Sequence, residues 1–260
     1  MIQEEPIAAR PLWCRLRWLC WLLALSLTAV ALIAWLKSEH RAVRKLEAAG
    51  FHCLSSEGPL AAISENWRAA FRRETWVDRE LWLQAPNSSG LIRFKGLIHR
   101  LRPMALEVDR GGSAFEDLDS LRGLKSLQQL YLNNCPALVN LSALKELTGL
   151  QVLGFMYCPE LEDVEVINGL VGLRKIRLYR CTNLKKVDNF KGLVELRVLD
   201  LHGCSALKNV DGLMSLPHLE WLRLSECNTL SLATLRKLSS ALPNTRITFP
   251  DGTETLPPFR

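Results

Sequence analysis

The sequence predicts an α/β repeat solenoid, with parallel β-strands on a concave face and short helical or 3₁₀ turns on a convex face, preceded by a transmembrane helix. Three observations carry this expectation. Cys135, Cys158, Cys181, Cys204 and Cys227 stand 23 residues apart. An aliphatic frame recurs in register with them: Leu130, Leu153, Ile176, Leu199 and Leu222 five residues before each cysteine, and Leu132, Phe155, Leu178, Leu201 and Leu224 three before. Upstream, Trp18 to Leu36 is a run of 19 residues without a charge.

Taken in order, residues 1–17 form a short basic tail containing Arg10, Arg15 and Arg17. The uncharged run at 18–36 measures about 28 Å as a helix, enough to cross the hydrocarbon of a bilayer. Trp13, Trp18 and Trp21 mark one end and Trp35 the other, as interfacial aromatics do. A cleaved signal peptide fits less well, because the apolar run continues beyond the small-residue triplet Ala29-Val30-Ala31 to Leu36. Basic residues flank both ends in nearly equal number, so flanking charge says little about orientation. A short arginine-bearing tail resists translocation whereas a long domain does not, which favours the repeats on the extracytoplasmic side. Unpaired thiols, by contrast, suit a reducing cytoplasm.

Residues 37–104 read as a juxtamembrane cap. Ser38 is placed to N-cap a helix carrying Val43, Leu46 and Ala49, with Gly50 as its C-cap. A second helical pattern follows Pro59, with Trp67 and Phe71 on one face. Ala85 to Gly90 is a turn cluster, and Leu101, Met104, Leu106 and Val108 form a degenerate first repeat. Leu106 precedes its counterpart Leu130 by 24 residues. Such a segment would cover the leucines that the first coil leaves exposed.

Residues 105–249 form the repeat domain. The aliphatic pair flanking one residue has the period of two that a strand requires. Further leucines fall eight and eleven before each cysteine, Leu127 and Leu124 in the first full unit, and their spacing of three suits tight helical turns. Leu242, Ile247 and Phe249 suggest one last strand, Pro250-Asp251-Gly252 turns it off, and residues 250–260 form a loose tail.

The pattern L-x-x-L-x-L-x-x-C-x-x-L resembles the leucine-rich repeat family, over a little under half the chain in full repeats. With the single N-terminal span and the cap segment, it is similar to membrane-anchored bacterial members of that family. Plant resistance-type repeats share the L-x-L-x-x-C portion, but nothing here matches their nucleotide-binding part. The resemblance implies that each cysteine turns inward to hydrogen-bond backbone where the chain leaves the strand. It also implies a protein-recognition module without catalytic residues. Zinc is not expected at the cysteines, which are neither clustered nor paired with histidines.

The net charge of +6 arises entirely before the repeats. Residues 1–104 carry 15 Lys/Arg against 9 Asp/Glu, and the remainder carry 18 of each. That balance suits a segment near anionic lipid rather than nucleic-acid binding. There is no phosphate-binding glycine loop, no H-E-x-x-H, no G-x-S-x-G and no kinase signature, so neither an enzyme, a cofactor nor a small-molecule substrate is expected.

Residues alternating with the buried aliphatics face outward and align in columns. They supply the candidate binding face: Tyr131, Met156, Lys175, Arg177, Tyr179, Asp200, His202, Trp221 and Arg223. Tyrosine, tryptophan, arginine and methionine are enriched at binding hot spots, although exposed strand positions favour some of them anyway. The expected function is a membrane-anchored interaction module holding a protein or peptide on this face. The alternative is a scaffolding membrane protein that associates through its juxtamembrane region or its span, in which case deleting residues 38–104 would disperse its complexes.

Overall fold

A computed structural model describes residues 41–55, 81–85, 88–109, 111–112 and 115–255, together with Ala34 and Ser38. By internal contacts the chain divides into two units, residues 1–44 with 60–77, and residues 45–59 with 78–260. Of the first unit, Ala34, Ser38 and residues 41–44 are described, and all are helical. Ser38 is therefore within a helix rather than at its cap. Among the described residues no helix is long and apolar enough to cross a membrane. The span expected at 18–36 lies outside them except for Ala34, as does the pattern at Trp67 and Phe71.

The second unit opens on the end of a helix, and Gly50 closes it as expected. Gly50 has φ 86°, its N–H donates to Glu47 O at 2.9 Å, and the Phe51 N–H donates to Leu46 O at 3.0 Å. This is the paired C-terminal bonding that a left-handed residue allows.

The described strands form one ten-stranded sheet in sequence order. The first two are β1 (His52–Ser55) and β2 (Leu81–Ala85), which pair antiparallel. From β2 every pairing is parallel, through β3 (Ala105–Val108), β4 (Gln129–Asn133), β5 (Val152–Met156), β6 (Lys175–Tyr179), β7 (Val198–Asp200), β8 (Trp221–Arg223) and β9 (Arg246–Thr248). A final strand, β10 (Glu254–Thr255), returns antiparallel to β9. Leu106 pairs with Leu130, so the degenerate first repeat keeps register despite its extra residue.

Between strands the chain returns through 3₁₀ turns at Asp119–Leu121, Ser142–Glu146, Glu165–Gly169, Asp188–Gly192 and Asp211–Ser215. Four of these turns are entered through the same side-chain bond, which satisfies a backbone N–H that a short helix leaves open. Asp117, Asn140, Asp163 and Asn209 each accept from the N–H two residues on, at 2.7–2.9 Å. Lys186 breaks the series, and in that unit Asn209 Nδ2 reaches across to Asp188 Oδ2 at 3.2 Å. This is the leucine-rich repeat solenoid that the sequence predicts.

Its core is the aliphatic frame itself. Leu130, Leu153, Ile176, Leu199 and Leu222 have no exposed surface, and the same holds for Leu144, Ile167, Phe190 and Leu213 on the convex arm. Each such side chain contributes about 1.5–3 kcal/mol by leaving water. The cysteines complete the core, all five free and fully buried. Four of them donate to the preceding unit: Cys158 to Leu132 O at 3.7 Å, Cys181 to Phe155 O at 3.6 Å, Cys204 to Leu178 O at 3.0 Å and Cys227 to Leu201 O at 3.1 Å.

Two helices went unread in the sequence. α1 (Ser88–Leu101) begins inside the expected turn cluster at 85–90 and takes in its last three residues. It rests against the first convex turn, where Lys95 Nζ donates to Asp119 O at 2.9 Å and His99 Nε2 lies 3.1 Å from Ser120 O. α2 (Leu232–Ala241) is N-capped by Ser231, which accepts from Thr234 N at 3.1 Å. Leu242 is the C-cap of this helix, not part of the last strand. Within the expected loose tail, residues 250–255 are structured, since Phe249 N donates to Thr253 O at 2.8 Å and β10 follows; residues 256–260 lie outside the described residues.

Burial pushes the Cys181 and Cys204 thiols well up from their ordinary range and raises Cys227 to about 12. Thiolate is the reactive species, so these groups are inert while the solenoid is folded. Peptide mapping after a thiol reagent at pH 8 should find Cys181, Cys204 and Cys227 unmodified in the native protein and fully modified in guanidinium. Rapid native labelling of any of the three would contradict the burial argument.

Candidate functional site

The concave surface is built from the strand positions that alternate with the buried frame. Register aligns them in columns: Glu107, Tyr131, Gly154, Arg177, Asp200, Arg223 and Thr248 in one, and Gln129, Val152, Lys175, Val198, Trp221 and Arg246 in its neighbour. Asn133, Met156 and Tyr179 begin a third. Tyr131, Met156, Lys175, Arg177, Tyr179, Trp221 and Arg223 are half-buried. Asp200 and His202, expected on the same face, keep only 7% and 8% of their surface and serve chiefly to hold their neighbours.

The centre of the surface is an aromatic stack. The Tyr179 ring lies on His202 with centroids 4.7 Å apart and planes at 11°. Tyr157 meets Tyr179 edge-on at 5.3 Å, and the Arg180 guanidinium sits 5.8 Å from the Tyr179 centroid. Both arrangements are favourable ones for a ring quadrupole. Around the stack, the Asp200 carboxylate accepts from His202 N at 3.0 Å and faces Arg223 Nη1 at 3.8 Å. Glu226 takes Arg180 Nη2 at 3.4 Å on one oxygen and lies 3.5 Å from His202 Nε2 on the other. At the other end of the face, the Tyr131 ring lies over Gly154, where an added Cβ would come within 2.5 Å of its Cδ1.

A further column escaped the sequence reading. The residue immediately before each cysteine has positive φ: Asn134 at 53°, Tyr157 at 56°, Arg180 at 54°, Gly203 at 74° and Glu226 at 64°. The left-handed conformation costs a residue with a Cβ roughly 1–2 kcal/mol. The N–H of each donates to the next unit: Asn134 to Met156 O, Tyr157 to Tyr179 O, Arg180 to His202 O and Gly203 to Ser225 O at 2.7–2.9 Å, and Glu226 to Pro250 O at 3.2 Å. The turn thus exchanges local strain for an inter-unit bond and swings the following cysteine inward. Asn134 and Gly203 tolerate this backbone readily and were the available signal. Tyr157, Arg180 and Glu226 do not, and they hid it.

These residues form the rim of the face. A cleft of about 620 Å³ runs along it, lined by Gly112, Asn134, Pro136, Tyr157, Pro159, Arg180 and Thr182. Arg180 reaches Glu226 two units away by lying across Gly203, whose missing Cβ would come within 2.7 Å of Arg180 Cγ. Among the described residues no group of three His, Cys, Asp or Glu is placed to hold a metal ion.

No protein-family model matches the chain, and no curated protein matches it by sequence. Solved structures similar to it include two internalins of Listeria monocytogenes. The internalin inlF is 19% identical with a TM-score of 0.48, over 74% of this chain and 55% of its own. Internalin C2 is 24% identical with a TM-score of 0.42, over 64% of this chain and 76% of its own. A leucine-rich repeat protein of Leptospira interrogans is 15% identical with a TM-score of 0.26, over 59% of this chain and 57% of its own. The chain thus spans little more than half the length of the first of these.

Gly203→Ala should lower stability by about 1–2 kcal/mol in urea unfolding, through its left-handed backbone and its clash with Arg180. Gly96→Ala, inside α1 with nothing within 4 Å of the added Cβ, should raise stability by up to about 1 kcal/mol. Equal effects of the two substitutions would show that neither the rim backbone nor Arg180 is constrained.

Proposed function

We propose that the chain is a membrane-anchored recognition module that binds a protein or peptide on its concave face and performs no catalysis. The observation that carries this reading is the central stack of Tyr179, His202 and Tyr157, flanked by half-exposed Lys175, Arg177 and Trp221. Tyrosine, tryptophan and arginine anchors on a rigid surface are the usual makers of binding energy. Strand positions tied unit to unit by backbone bonds hold those anchors in place before a partner arrives, which lowers the cost of ordering on binding.

In this reading residues 1–17 are a basic tail, 18–36 the transmembrane helix and 37–104 a juxtamembrane cap. Residues 105–249 are the recognition domain, with 250–260 closing it. Support for the anchor is the uncharged run with tryptophans at both ends. A short arginine-bearing tail resists translocation whereas a long domain crosses largely regardless of charge, which supports a recognition domain outside the cytoplasm. Capping is supported by β1 and β2, which extend the sheet and cover the open side of β3.

Joint replacement of Arg177 and Tyr179 by alanine should abolish capture of the partner in crosslinking from intact cells. The melting temperature should move by only a few degrees, because neither side chain belongs to the core. Capture that persists in the double variant would rule out the concave face. Protease added to intact cells should digest the repeats; protection until lysis would place them in the cytoplasm.

A further inference from the structure

The charges of the concave face do not balance among themselves. Every acidic group along its centre is engaged. Glu107 Oε1 accepts from Asn133 Nδ2 at 3.2 Å, Asp200 is shared by His202 N and Arg223, Glu226 by Arg180 and His202, and Glu220 pairs with Arg197 at 2.6 Å. On the cationic side Lys175 and Arg177 are left over at the centre, and the exposed Arg246 at the C-terminal end. Among the described residues neither Lys175 nor Arg177 takes part in an ion pair or a side-chain hydrogen bond, and both are half-buried. Burial and the nearby Arg177 charge push the Lys175 ammonium below its ordinary range, with Asp200 acting weakly the other way. An anion set beside the two cations would relieve that repulsion.

The spacing of the pair narrows the anion. Lys175 and Arg177 stand two residues apart on β6 and so share a face, about 6.6 Å apart along the strand. An extended peptide repeats its side chains at the same interval. Two residues further along the same face is Tyr179, its ring held by His202 beneath and Tyr157 at its edge. A polyanionic backbone would need a basic stripe, whereas residues 105–260 carry 18 Lys/Arg and 18 Asp/Glu.

We propose that the concave face takes an extended acidic segment of its protein partner, patterned acid-x-acid-x-apolar. The two carboxylates lie on Lys175 and Arg177 and the apolar side chain rests against Tyr179. The proposal rests on the reading of this face as a protein-binding surface, and it names the chemistry of the partner.

The test is fluorescence anisotropy with the full chain in detergent and a labelled seven-residue peptide. The peptide carries glutamates two positions apart and a leucine two further on. Binding should weaken at least tenfold in the double variant Lys175→Gln, Arg177→Gln. It should also weaken at least tenfold between 50 and 500 mM salt, and stay unchanged in Arg236→Gln on α2. Thermal melts confirm that the variants are folded. The proposal is overturned if the peptide fails to bind at millimolar concentration, or if a lysine-for-glutamate version binds equally well. It is also overturned if equimolar inorganic phosphate displaces the peptide, which would mark a small-anion site. Failure of the acidic peptide, with partner capture still lost in the Arg177 and Tyr179 double alanine, would leave the face standing as a binding surface and reject its acidic ligand. Capture unaffected in that variant would reject the face itself.

Discussion

A 23-residue unit of this chain cannot bury its own leucines, and the rest of the structure follows from that constraint. One strand and one short 3₁₀ turn enclose no volume. The aliphatic frame leaves water only when a second unit lies against the first, and stacking then repeats until something ends it. Hydrogen bonding obeys the same constraint. The N–H groups of Gln151 and Val152 both point to Gln128 O, and those of Arg174 and Lys175 both point to Gln151 O, one unit back each time. At the far end of each strand the left-handed residue donates one unit forward. Each repeat is thus bonded to both neighbours, and the cysteine thiols add a third tie within the core.

The same turn connects stability with the candidate site. Where the residue before the cysteine is Asn or Gly, the turn costs little. Where it is Tyr157, Arg180 or Glu226, backbone strain is accepted for a side chain that extends over the rim. Those three residues meet around Tyr179 and His202 through ring contacts and the Arg180–Glu226 pair. That pair is well exposed at both ends and contributes little stability as an isolated ion pair. Its effect is positional: it draws Arg180 across Gly203 and closes the rim over the stack.

Legibility in the sequence divided along the line between repetition and its exceptions. The frame at Leu130, Leu153, Ile176, Leu199 and Leu222 recurs with a period that a single sequence displays openly, so strands, turns and buried thiols could all be read from it. The capping segments lack that redundancy. α2 had its signals in Ser231 and the helical spacing of Leu232, Leu235 and Leu238, but these were masked by their likeness to one more leucine repeat. α1 begins with Ser88-Ser89-Gly90, which argues for a turn, and its helix is supported instead by packing on the first convex turn. The concave columns were legible as positions. The covering of Asp200 and His202 was not, because it depends on Glu226 and Arg223 reaching over from the next unit.

Two half-buried, unpaired cations at the centre of a face whose acidic groups are engaged need a reason within the fold, since each loses hydration without a compensating partner. Lys175 and Arg177 contribute nothing to the core, and residues on either side in the same columns, Val152 with Val198 and Gly154 with Asp200, are neutral or acidic. A purely structural strand would be served as well by threonine or valine at both positions. In the proposed reading the cationic pair is half of an interaction whose other half is an acidic segment of the partner. The rigid stack next to it indicates where the apolar part of that partner would lie. Since Lys175, Arg177 and Tyr179 share one strand and one face, a ligand running along β6 meets all three without any rearrangement of the solenoid.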